Sequence, residues 1–187
     1  MDFLVSILLG LGLSAAVGFR IFVPALITSI AAYYGKIELA ESMQWFGSLP
    51  AMVTFGVATV LEIAGYYVPF VDNLLDTVSA PMAAVCGSLL MGSTIVDMDP
   101  VIKWPVSVIA GGGLAATIQG GTSLVRLKSS GFTGGMANPV VSSAEAGFAG
   151  IISIISIFMP IAAGLVIMYL IYRIIKRKVI KRNEKEG

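Results

Sequence analysis

The sequence predicts an all-α fold, a polytopic bundle of transmembrane helices with some broken or re-entrant, and three observations predict it. Of the 187 residues, 57% are hydrophobic and 12% charged, with a mean hydropathy of +0.91. That is far more apolar surface than a soluble domain of this size can bury. The apolar residues fall in long runs, at about 3–34, 49–70, 77–96, 101–127 and 143–175, near or above the roughly 20 residues that cross a bilayer. Several runs also carry proline, clustered glycines or a charge at mid-length, which hydrocarbon tolerates only where the backbone is buried in protein or lines a wet cavity. The connections are too short for a separate soluble module, so residues 1–187 read as one domain.

The first run, 3–34, has no basic residues ahead of it and outlasts a signal peptide, so it reads as a retained helix. Gly10, Gly12, Ser14, Ala15, Ala16 and Gly18 give it a small-residue face suited to close helix contact. Arg20 and Pro24 then fall in mid-span, and the proline predicts a kink. Residues 35–48, with Lys36, Glu38, Glu41 and Trp45 among apolar neighbours, read as an interfacial segment. The second run opens at Pro50, is apolar except for Glu62, and ends at Tyr66-Tyr67. Asp72 and Asp76 follow in what reads as a short turn, though on a helix their spacing would put them on one face. The third run, 77–96, is rich in Ser, Ala and Gly, and Trp104 anchors the start of the fourth.

That fourth run leads into the stretch from Gly111 to Glu145, which departs most from a plain span. It places Gln119, Thr122, Ser123, Arg126 and Lys128 among glycines and resumes at Asn138-Pro139. Pro160 predicts a kink or break in the last run. Seven of the twelve Lys and Arg residues lie in the last fifteen positions, so the basic tail, 176–187, is expected in the cytoplasm of a multi-pass cell-membrane protein. With that orientation Arg126 and Lys128 fall toward the outer side if 143–175 is one crossing. A purpose other than orientation is therefore expected of them.

Cys86 is alone and histidine is absent. The commonest general base and metal ligand are therefore missing, no Cys/His/Asp cluster has metal spacing, and neither a cofactor nor an enzymatic activity is expected. Gly111 to Gly113 lack the Gly-Lys-Ser/Thr ending of a phosphate loop. The basic tail suits anionic lipid, and no nucleic-acid partner is expected.

Residues 13–17 align with 114–118, and each patch is followed by an arginine, Arg20 or Arg126; Pro50 and Pro69 have counterparts in Pro139 and Pro160. Landmarks in the same order in two halves suggest an internal inverted repeat of the transporter type. The segments Gly12-Leu13-Ser14-Ala15-Ala16-Val17-Gly18-Phe19-Arg20-Ile21-Phe22-Val23-Pro24 and Asn138-Pro139-Val140-Val141-Ser142-Ser143-Ala144-Glu145 resemble the bacterial membrane-protein family known as domain of unknown function 4126. The resemblance covers nearly the whole chain. It implies a small multi-pass membrane protein and no particular activity.

The chemistry therefore rests on the charges. An arginine at a helix centre costs roughly 2.5–3.5 kcal/mol on insertion scales, so Arg20 and Arg126 are expected to grip an anionic group, with Gln119, Thr122 and Asn138 beside them. The alternative is that both arginines simply pair with Glu62, Glu145, Asp72 or Asp76 to hold the bundle together. Glu62, Glu145, Asp72 and Asp76 are candidate sites for coupling protons or cations, although Glu145 could merely cap a helix start. Two functions follow. One is a small transporter or channel-like protein, a homo-oligomer, with a midplane site for an anionic small molecule or lipid headgroup. The other is a structural or accessory subunit whose charges are internal salt bridges. A polar cavity exposing an arginine would mark the first, and a dry centre with every charge paired the second.

Overall fold

The computed structural model describes residues 2–68, 71–133 and 138–186, without the side chains of 72, 73, 132, 133, 174, 175 and 177–186. The described chain is all helical: α1 (Phe3–Val17), α2 (Phe22–Tyr33), a 3-10 segment (Glu41–Gly47), α3 (Leu49–Gly65), α4 (Val71–Thr94), α5 (Pro100–Val106), a π-helical segment (Ser107–Gly112), α6 (Gly113–Thr133), α7 (Asn138–Phe158) and α8 (Pro160–Glu186). Leu74–Thr94, Pro100–Gly131 and Asn138–Phe158 are long and apolar enough to cross a membrane. The 3-10 segment with α3, bent by 64°, makes a fourth span if the pair is one.

Prolines mark helix starts more than kinks. Pro50, Pro100 and Pro160 stand in the first two positions of α3, α5 and α8, where a missing N–H costs nothing. Pro24 likewise lies in the first turn of α2, so the break in the first run falls earlier, at residues 18–21. A Cβ on Gly18 would meet the Ile118 side chain and stand 2.8 Å from the Ala115 carbonyl oxygen. Glycine there lets the end of α1 rest against α6. Pro105 cannot donate to the carbonyl four residues back, and the helix widens just beyond it into the π turn.

Other boundaries also differ from those the composition suggests. Asp72 and Asp76 belong to the opening turns of α4 rather than to a turn before it, where the positive end of the helix suits acids. The last run is divided at Met159 into α7 and α8, and the basic residues after 175 continue α8 to Glu186.

At about 22 Å long, α1 is too short to span alone, but it is the centre of the bundle. It packs on α4, α6, α7, α8 and the π turn, and Leu9, Leu13, Ala16 and Val17 are buried completely or nearly so. Its neighbours come close through small residues, since a Cβ on Gly12 would collide with Ser156 of α7. The Ser14 hydroxyl donates to the Gly87 carbonyl on α4 at 2.8 Å. Ser14→Ala should therefore cost about 0.5–1.5 kcal/mol, read as a lower unfolding midpoint in mixed micelles. The polar groups lie inside: Ser6, Ser14, Thr28, Ser29, Ser93, Ser107, Ser153 and Ser156 are fully buried, while Val60, Leu61, Ile109, Leu127 and Phe158 face outward. That is the distribution expected of an integral membrane protein in contact with lipid.

The two patches that align in sequence run side by side in the same direction. Gly111 lies against Ser14, and Gly18 against Ala115 and Ile118. An inverted relation between them would make them antiparallel.

Candidate functional site

Polar side chains from five parts of the chain meet where α1 gives way to α2. Arg20 stands in the break itself, Glu62 on α3, Tyr66 just after α3, Asp76 on α4, Arg126 on α6, and Ser142 and Glu145 on α7. Helical spacing selects them locally. Glu62 and Tyr66 are four apart and Ser142 and Glu145 three apart, so each pair shares a face.

Arg126 is held by the protein's own carboxylates. Its Nε donates to Glu145 Oε1 at 3.1 Å and its Nη2 to Oε2 at 2.6 Å, a two-bond fork, while Nη1 meets Asp76 Oδ1 at 2.5 Å. Such bidentate pairs are the strong form of charge-assisted hydrogen bond. Arg20 shares the same carboxylate: its Nη2 is 3.2 Å from Glu145 Oε2 and also donates to the carbonyl and hydroxyl oxygens of Ser142. Glu145 thus bridges both arginines.

The Tyr66 ring lies 3.8 Å from Arg20 Cζ and 4.2 Å from Arg126 Cζ, within range for attraction of a cation to a π face. Its hydroxyl is hydrogen-bonded to Ser79 at 2.9 Å. Glu62 turns instead to backbone. Its carboxylate accepts from the Ile21 N–H at 2.8 Å and the Phe22 N–H at 3.0 Å, so it closes the start of α2, where unpaired donors and the positive helix end favour an anion.

Arg20 and Arg126 are each 1% exposed, Glu145 4% and Glu62 7%. Two guanidiniums therefore lie sealed among three carboxylates, and ions so placed are tolerable only because each has partners. One residue is incompletely served. Arg20 Nε and Nη1 have no hydrogen-bond partner, leaving three N–H donors of its five unused.

Of the residues singled out from sequence, the fold brings Arg20, Arg126, Glu62, Glu145 and Asp76 together. Gln119 is buried on α6, two turns before Arg126, and its Nε2 has no partner. Thr122 donates to the Gln119 carbonyl within α6, and the Asn138 amide bonds Ser130. Neither contact joins the cluster. The side chain of Asp72 lies outside the described residues. Lys128 is exposed, whereas Arg126 is engaged inside the bundle. Tyr66 and Ser142 were not expected in the site. The signal for them was their helical spacing from Glu62 and Glu145.

Among the described residues no group of His, Cys, Asp or Glu side chains is placed to hold a metal ion. No curated protein and no solved structure matches this chain. The sequence profile of one family, described as a domain of unknown function, DUF4126, matches residues 7–177. The match runs from α1 into α8 and takes in both sequence segments noted above as well as every residue of the buried cluster, and the chain belongs to the DUF4126 family.

Proposed function

We propose that this multi-pass membrane protein is a small transporter or channel-like protein that binds an anionic group at the arginine-carboxylate cluster. The observation that carries the reading is Arg20: a guanidinium in the break between two half-helices, 1% exposed, with Nε and Nη1 unpartnered. Unpaired buried donors cost roughly 1–3 kcal/mol each, a cost that an oxyanion would remove. The arrangement is closed. Glu145 and Glu62 occupy the places at the arginines and at the start of α2 that a ligand's charge would compete for, and these two carboxylates are the candidates to carry coupling protons. The reading is non-enzymatic, with the basic end of α8 in the cytoplasm and a homo-oligomeric assembly.

A second reading, a structural or accessory subunit, is favoured by Arg126, whose fork and third bond all end on the protein's own carboxylates. A thermal-shift screen of the purified protein against anions, cations and lipid headgroups separates the two. Stabilisation by an anion class, lost in Arg20→Gln or Arg126→Gln, is the expected result. If no compound stabilises the protein and both variants are merely less stable, the accessory role is the correct one.

A further inference from the structure

Between α3 and α4, beside the start of α2, lies a cavity of about 330 Å³, at the lower end of the range for small-molecule sites. Ala58, Leu61, Val78 and Met82 give it apolar walls, and Glu62 and Tyr66 supply its polar end. Leu61 is 66% and Met82 39% exposed, so the cavity opens on the outer face of the bundle, where hydrocarbon lies in a membrane. The two helices that flank it touch each other little.

Tyr66 belongs to both the cavity and the charged cluster. Its ring lines the one and lies against both guanidiniums of the other. It is a side chain through which the cavity adjoins the charged cluster.

We propose that the cavity receives, from within the membrane, the alkyl chain of a single-chain carboxylate, and that Arg20 receives the carboxylate head when the Tyr66 ring turns aside. The proposal rests on the reading that Arg20 binds an anionic group, and it adds the ligand class and the way in. Apolar walls suit a chain and offer nothing to a hydrated ion. The free Nε and Nη1 of Arg20 call for an oxyanion. Charge chooses among oxyanions: the cluster already has three carboxylates to two guanidiniums, so a monoanion that exchanges with one internal carboxylate is accommodated more readily than a dianionic phosphate head. The route is lateral because the mouth faces hydrocarbon rather than water.

The test uses the full-length protein in lipid nanodiscs with a diazirine-tagged dodecanoate, photolysed and mapped by peptide mass spectrometry. Dodecanoate, dodecanol and dodecyl phosphate serve as competitors. Labelling should fall on α3 and α4, and dodecanoate should compete about tenfold or more better than dodecanol, the least that a hydrogen bond to a charged group is worth. Ala58→Trp, which fills the cavity, should abolish labelling, as should Leu61→Trp at its exposed mouth, each checked for folding by size exclusion. Arg20→Gln should keep the label but erase the preference for dodecanoate over dodecanol, and Arg20→Lys should retain part of it. Equal competition by dodecanol in the unaltered protein would reduce the cavity to a crevice filled by any hydrocarbon and overturn the proposal. So would stronger competition by dodecyl phosphate, or labelling that survives both tryptophans. Stabilisation by short carboxylates that is lost in Arg20→Gln, with no labelling between α3 and α4, would keep the anion site and overturn only the lateral chain site.

Discussion

Replacing Glu145 with alanine is expected to destabilise the protein by about 3–5 kcal/mol, the range for removing one partner of a buried ion pair. Glu145 is the member both arginines share. Without it Arg126 loses its two-bond fork and Arg20 loses its ion-pair contact with Glu145, while Arg126 retains Asp76 and Arg20 the oxygens of Ser142. Asp76→Ala should cost less, because its side chain is 21% exposed against 6% for Glu145 and its loss leaves the two-bond fork intact. The measurement is reversible unfolding in mixed micelles by titrated dodecyl sulfate, followed by circular dichroism. Arg126→Leu added to Glu145→Ala should recover part of the loss, since it removes a charge left short of partners. An effect of Glu145→Ala below about 1 kcal/mol, the scale of an exposed pair, would show that water reaches the arginines and that the cluster is not sealed.

The second large effect is steric. A Cβ on Gly87 of α4 would stand 2.6 Å from Ala115 Cβ and 2.8 Å from the Gly111 carbonyl oxygen, and one on Gly111 would stand 2.6 Å from the Gly87 carbonyl oxygen. These obstacles include backbone, which cannot rotate away. Gly87→Val should therefore exceed the usual 1–3 kcal/mol of overpacking, lowering both the yield of folded protein and the unfolding midpoint. Gly113→Val, two residues beyond Gly111 and facing open space, should change neither by much. Equal tolerance of the two valines would mean that α4 does not lie against the π turn.

How much of this could be read from the chain depends on the kind of force involved. Arg20, Arg126, Glu62 and Glu145 were legible because a charge in hydrocarbon is expensive whatever the fold. Their meeting was not, because it depends on which helices adjoin. The break in the first run was expected near Pro24, but proline at a helix start carries no penalty, and the break falls at 18–21, where Glu62 of α3 accepts from the Ile21 and Phe22 N–H groups, a partner brought by packing. Tyr66 looks in sequence like the interface aromatic that its neighbour Tyr67 also suggests. Only the turn of α3 shows that its ring lies over arginine. Asp72 and Asp76 read as a turn because aspartate is a poor interior helix residue, yet it is favoured where a helix begins. Parallel passage of the two small-residue patches was beyond a sequence alignment, which records likeness and not direction.

The wide turn at Ser107–Gly112 keeps α6 in phase with the half of the span before it. An ordinary helix advances about 100° per residue, and a π turn amounts to an inserted residue absorbed without breaking the rod. Removing one residue between 107 and 112 would therefore return the turn to ordinary helix and leave Arg126 facing much as before. Removing one between 113 and 125 would instead rotate Arg126 by about that angle, into the outward-facing place of Val125. A chain with only that second deletion would keep nearly the same composition and hydropathy profile while losing the meeting of charges on Glu145, so within this fold residue spacing upstream of the arginine is as much part of the site as the arginine.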